Sequence, residues 1–260
     1  MNNSILKKEI QWLLEEKYNG EKSSAFFSDE KKLNSGTPLA YLIGNIDFIN
    51  TKIDLEFKPL IPRPETEFWI YEYIFPKIKK MENFAEQNSP IKILDIFSGS
   101  GCIGLSVLNN FKNIEIDFGE IKNENILQIK KNIKINSLEN KNFNILQSDI
   151  FKSIPKKSYD FILANPPYIS KEKIGTTELQ NSVIENEDYL ALFAKDNGLY
   201  FVKKLILESK NYLKKDGELW IEYDPWQTDL IKEFLKENNL NNFEIKKDQY
   251  NRNRFLKLIY

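Results

Sequence analysis

From Ile91 to the end of the 260-residue chain, short apolar runs alternate with amphipathic stretches of helical period, and this alternation constrains the fold more than any other feature. The runs are IKILDIF, IEIDF (114–118), NILQSDIF, YDFILA and ELWIEY (218–223). Helices are expected from CIGLSVLNN, over Glu124 to Asn136 with Ile126, Ile129 and Ile133 on one face, over Leu199 to Leu213, and over Gln227 to Glu237. Strand, helix and strand in this succession predict an α/β fold with a doubly wound, Rossmann-like, mostly parallel sheet. The last segment, NFEIKKDQYNRNRFLKLIY, reads as two strands with no helix between them, hence an antiparallel pair at one edge.

The part before Ile91 is different. Residues 1–20 place Ile5 or Leu6, Ile10, Leu13 and Leu14 at helical spacing, with Ser4 as N-cap and Asn19-Gly20 as a stop. Residues 21–45 read as polar and irregular, up to GTPLAYLIGN. Ile53, Leu55 and Phe57 alternate as in a half-buried strand, so a hairpin turning near Asn50 is expected. After IPRPETE, a helix is expected from Glu65 to Lys80. Two units follow: a small N-terminal helical unit with a connecting β-hairpin over 1–62, and a main domain over 63–260. Glu9, Glu15 and Glu16 argue against a signal peptide or mitochondrial presequence, and no apolar stretch approaches a membrane span, so the expected setting is cytoplasmic.

Residue counts narrow the chemistry. With 37 basic against 38 acidic residues there is no global positive field for unselective nucleic-acid binding. The chain has no histidine, and its one cysteine is Cys102. Zinc sites built on His or paired Cys, Ser-His-Asp triads, Cys-His dyads and disulfides are thereby excluded, and no metal is expected. Carboxylates, amides, hydroxyls, lysines, backbone groups or a bound cofactor must do the work.

Two sites stand out. In DIFSGSG, the strand carrying Asp95 and Phe97 runs into Ser98, Gly99, Ser100 and Gly101 before a helix. Such a turn lets backbone approach a ligand and offers unpaired N–H groups to an anion, although many such turns are simple punctuation. Glu120 ends the next strand, 25 positions after Asp95, where an acid can grip ribose hydroxyls or merely face solvent. Asp149 in QSDIF can accept from an adenine amino group or cap the following turn. The second site is Asn165-Pro166-Pro167-Tyr168, after YDFILA. Pro-Pro bars helix and ladder pairing, so its carbonyls face outward. With the Asn165 side-chain carbonyl they make converging acceptors that suit a planar NH₂ group, with Tyr168 against its plane. The bland alternative is a Pro-Pro turn with a capping Asn and a packed Tyr.

DIFSGSG, Glu120, Asp149 and NPPYI in this order resemble the signature of class I S-adenosylmethionine (SAM) dependent methyltransferases acting on planar amide or amine nitrogens. IPRPETE (61–67), preceded by GTPLAYLIGN, narrows the resemblance to the HemK/PrmC family of peptide chain release factor glutamine N5-methyltransferases, over about Gly36 to the end, including ALFAKDNGL (191–199), Glu222 and KDQYNRNRF (247–255). The resemblance implies methylation of the glutamine in the Gly-Gly-Gln loop of class I release factors, with SAM as cofactor and S-adenosylhomocysteine (SAH) as product. It implies that Ser98 to Gly101 line the methionine part of SAM, Glu120 the ribose, and Asp149 and Ile150 the adenine. Asn165 and the backbone at Pro166 would bind the substrate amide with Pro167 and Tyr168 alongside, and Arg63 and Glu65 would lie next to the methyl donor. Phe97 stands where the family's first motif usually has glycine.

With no histidine available as base, catalysis is expected to rest on placement of the amide nitrogen against the methyl donor. Cys102 is expected to be a helix residue, not a nucleophile. Residues 1–62 and the acidic segment Glu178 to Asp188 are the candidates for gripping the release factor; neither a membrane nor stable nucleic-acid binding is expected. Two rivals are an NPPY-type nucleic-acid base methyltransferase, which would need a basic surface and room for a flipped base, and a SAM-binding module without activity.

Overall fold

The computed structural model describes residues 3–84, 89–156, 159–170 and 189–260. Helices α1 (Asn3–Tyr18), α2 (Ser24–Asn34) and α3 (Leu39–Ile43) precede a hairpin of β1 (Asn45–Phe48) and β2 (Thr51–Asp54). Then come α4 (Pro64–Trp69), a π-turn (Ile70–Ile74) and α5 (Phe75–Phe84). The alternating region supplies β3 (Ile91–Ile96), α6 (Cys102–Asn110), β4 (Ile114–Glu120), α7 (Asn123–Ile135), β5 (Asn142–Gln147) and β6 (Tyr159–Ala164). The two-residue strands β7 (Ile169–Ser170) and β8 (Phe193–Ala194) follow, then α8 (Tyr200–Glu208), β9 (Leu213–Glu222), α9 (Thr228–Glu237), β10 (Phe243–Lys247) and β11 (Asn253–Ile259).

Seven strands form the main sheet in the order β10-β11-β9-β6-β3-β4-β5. β11 runs antiparallel to β9 and β10, and the other pairs are parallel, as the missing helix between the last two strands predicted. Apolar clusters cover both faces: Ile93, Leu105, Phe118, Leu163 and Trp220 belong to one, Leu94, Ile162, Leu205, Leu219 and Leu256 to the other. Strands buried on both sides read as continuous apolar runs, which is why they were visible in the sequence.

Three local expectations are corrected. Residues 21–45 are not irregular: Ser23 caps α2 by accepting from the Phe26 amide, and Phe26, Leu33 and Leu42 close a core of their own against Leu13 and Leu14. Helix α1 already begins at Asn3, so Ser4 lies inside it and is not its cap. The helix expected over Glu65 to Lys80 is widened into the π-turn just before Pro76. Pro76 lacks an N–H and its ring would strike the carbonyl of an ordinary helical turn, which the wider turn avoids.

The hairpin turns at Ile49 and Asn50, both left-handed with φ 43° and 57°, as a two-residue loop between twisted strands requires. Its open edge is covered by α7. Gln128 and Asn132 of α7 and Asn136 just past its end, spaced four residues apart, take the amides of Phe57, Asp54 and Lys52 at 2.9, 2.8 and 2.9 Å. Asn132, fully buried, also donates to the Ser100 carbonyl at 3.0 Å, so one side chain ties the hairpin to the glycine turn.

Candidate active site

Sheet register gathers the candidate site residues along one edge. Ile96 of β3 is level with Gly119 of β4 and with Ala164 of β6, and Ala164 with Ile221 of β9. The residues that follow, Phe97, Glu120, Asn165 and Glu222, therefore reach the carboxyl edge side by side. Phe255 opposes Glu222 across the antiparallel pair, which brings Arg254 to the same place. β3 and β6 are neighbours whose chains continue to opposite sides of the sheet, so their carboxyl ends flank the crevice where doubly wound folds bind ligands.

In the turn after β3, Phe97, Gly99 and Gly101 have φ of 61°, 55° and 80°. A glycine at Phe97's position would adopt this conformation freely, whereas an L side chain there costs roughly 1–2 kcal/mol. The Phe97 ring packs edge-on against Phe201, with centroids 5.2 Å apart, which helps offset that cost. Glu120 braces the turn: one carboxylate oxygen accepts from the Gly99 amide at 2.8 Å, the other from Ile121 and Lys122 at 2.8 and 2.9 Å. A carboxylate has about four acceptor positions, so capacity for a ribose hydroxyl remains.

Asp95 lies beneath the turn, fully buried, with Oδ2 accepting from the Gly104 amide at 2.9 Å and Oδ1 without a partner. Burial pushes its pKa up to about 7, against the pull of the Gly104 amide and with help from the Glu120 charge. An unfolded Asp ionises near pH 3.9. As pH rises from about 4 to about 7 the unfolded chain gives up a proton that the folded protein keeps, so folding stability declines over that window. Asp95→Asn is expected to flatten this decline, measured as the difference in Tm between pH 5 and pH 8; an unchanged difference would refute the assignment.

At the end of β6, Asn165 Nδ2 donates to Thr66 Oγ1 at 3.0 Å, and Thr66 Oγ1 donates to Glu222 Oε2 at 2.7 Å. Trp69 Nε1 reaches the same Glu222 oxygen at 3.2 Å. Glu222 Oε1 accepts from the Tyr168 hydroxyl at 3.1 Å and from Arg254 at 3.3 Å, and Arg254 also donates to that hydroxyl at 2.8 Å with its guanidinium over the Tyr168 ring. Burial, and then the Glu222 charge, hold the Tyr168 phenol well above its ordinary pKa, so it stays protonated at neutral pH and is no base. The Tyr168 carbonyl is taken by Gln227 Nε2 at 2.9 Å, which fixes the loop from behind.

One cleft joins the two halves. Its lining includes Phe97, Ser98, Gly99, Ser100, Glu120, Asp149, Ile150, Asn165, Pro167 and Arg63. Asp95, Gly101, Pro166, Tyr168 and Glu65 do not line it; Glu65 faces Arg252 at 2.9 Å and ties α4 to the turn just before β11. Asp149 is exposed just beyond β5, with Ile150 left-handed behind it. Cys102 begins α6, buried, and burial raises its thiol to about 12, so it is no nucleophile at neutral pH. The acidic segment Glu178 to Asp188 lies outside the described residues. Thr66, Glu222 and Arg254 were missed as site residues, although each sits in a segment that carries the family resemblance; the Thr in IPRPETE was the available signal.

Residues 80–192 match the family described as "Methyltransferase small domain". The release factor glutamine methyltransferase of Streptococcus pneumoniae is 32% identical, covering 94% of this chain and 82% of its own length. That of Lactococcus lactis is 29% identical over 88% of this chain and 80% of its own. Among solved structures, the hMettl16 catalytic domain in complex with a MAT2A 3′UTR hairpin superposes with a TM-score of 0.63 at 16% identity, covering 98% of this chain and 90% of that one. The N-terminal domain of human METTL16 in complex with SAH gives 0.56 at 17% identity, with 81% and 76% covered. These two likenesses concern the fold.

Proposed function

The chain belongs to the release factor glutamine methyltransferases, and on that premise we propose how its residues methylate the N5 amide of the glutamine in the Gly-Gly-Gln motif of class I release factors. The observation that carries the reading is the single cleft that runs from the glycine turn and Glu120 to Asn165. SAM, when bound, supplies an electrophilic methyl group. The left-handed turn, the braced Glu120 and the neighbouring Asp149 and Ile150 fit its methionine, ribose and adenine parts.

Asn165 Oδ1, which accepts no hydrogen bond among the described residues, takes one N–H of the substrate amide, and the backbone carbonyl of Pro166, beside the cleft rather than on its lining, takes the other. An amide nitrogen is a poor nucleophile, so its orientation does the catalytic work, and acceptors on both N–H groups stabilise the positive charge that develops there. The proton then passes to water, since neither Tyr168 nor Cys102 can take it at neutral pH. Residues 1–62 grip the release factor body, and the reaction takes place in the cytoplasm; no helix among the described residues is long and apolar enough to cross a membrane.

Incubation with labelled SAM, a Gly-Gly-Gln release factor, the same factor with that Gln changed to Ala, and RNA tests this. Labelling of the first alone, located by mass spectrometry on the glutamine, is expected. Equal labelling of the Ala factor, or preferential labelling of RNA, would overturn the assignment in favour of a base methyltransferase.

A further inference from the structure

We propose that Thr66 and Glu222 are positioning residues that decide which end of the Asn165 amide the substrate meets. This rests on the function proposed above. An amide side chain can present either its carbonyl or its NH₂, which have nearly the same shape, and only the carbonyl can hold a substrate NH₂. Nothing within NPPY itself makes that choice.

The choice is made two residues away. Among the described residues, every hydrogen bond of the Glu222 carboxylate comes from a donor: Thr66 and Trp69 at Oε2, Tyr168 and Arg254 at Oε1. Thr66 therefore spends its one hydroxyl hydrogen on Glu222, at 2.7 Å, and can only accept from Asn165. Asn165 must turn its NH₂ toward Thr66, at 3.0 Å, and its Oδ1 is thereby left for the substrate. Thr66 is 2% exposed and Glu222 fully buried, so water does not substitute freely for either partner. The polarity of a buried carboxylate is thus passed through one hydroxyl to the substrate clamp. With the amide reversed, donor would face donor and the glutamine would lose its orientation.

The test compares the full-length parent with Thr66→Val, Thr66→Ala and Thr66→Ser, reading kcat and KM for the release factor and calorimetric affinity for SAH. Valine keeps the shape and removes both hydrogen bonds; alanine serves if valine does not fold. The expected result is a fall in kcat of about tenfold in Thr66→Val and Thr66→Ala, the scale of one lost hydrogen bond, with SAH affinity essentially unchanged. Serine is expected to restore most of the turnover. Parental kcat in Thr66→Val, failure of Ser to restore it, or joint loss of turnover and SAH binding in Val and Ala would overturn the inference. If the parent itself leaves the glutamine unlabelled, it is the functional reading that fails, and the inference falls with it.

Discussion

Asn165→Ala is expected to lower kcat for glutamine methylation by about a hundredfold to a thousandfold, with SAH binding left essentially intact, because in the proposed mechanism it removes an acceptor aimed at the charge developing on nitrogen. Among the described residues the side chain makes one hydrogen bond, to Thr66, so its loss leaves little structural damage. Asn165→Asp is informative beside it. An Asp at this position would compete with Glu222 for the single Thr66 hydrogen, so it is expected to fall well below the parent even though it keeps an acceptor. Parental turnover in Asn165→Ala would reduce NPPY to a structural turn.

Glu222→Ala is expected to be among the most destabilising single changes in the chain. The carboxylate is fully buried and holds Thr66, Trp69, Tyr168 and Arg254, whose own side chain is only 13% exposed. Removing one partner of a buried pair leaves the other charge uncompensated, a loss of about 3–5 kcal/mol. For a chain of this size that lowers Tm by about 10 °C. A thermal melt in which Glu222→Ala stays within a degree or two of the parent would show that the network does not hold this edge together.

What could be read from sequence was local. DIFSGSG and NPPY each pack their chemistry into consecutive residues, and the strands of a two-sided sheet announce themselves as apolar runs. The clamp's supports are the opposite case. Thr66 lies 99 residues before Asn165 and 156 before Glu222, and they meet because Asn165 and Glu222 follow the level residues Ala164 of β6 and Ile221 of β9 while α4 brings Thr66 to them. No period or spacing records that. Helix α2 was missed for another reason: SAFFSDEKKLN carries only Phe26 and Leu33 as buried apolar residues, too few for a periodic signal, and it is the packing against Leu13, Leu14 and Leu42 that makes it a helix. Phe97, standing where the family's first motif usually has glycine, has a left-handed backbone, which explains why glycine is the usual occupant.

The amide row on α7 has a consequence for how the chain matures during synthesis. A two-stranded hairpin is marginal by itself in water. The Asp54 amide waits for Asn132, which is added 78 residues later, and at roughly 5–20 residues per second that interval is about 4–16 s. Helices α1 to α3 have their own small core and can form early, but the β1–β2 segment that joins them to the rest stays unlatched until α7 has emerged. Slow passage of the ribosome between those two points prolongs the life of an exposed strand edge, so codon choice over residues 55–132 bears on the yield of correctly assembled enzyme.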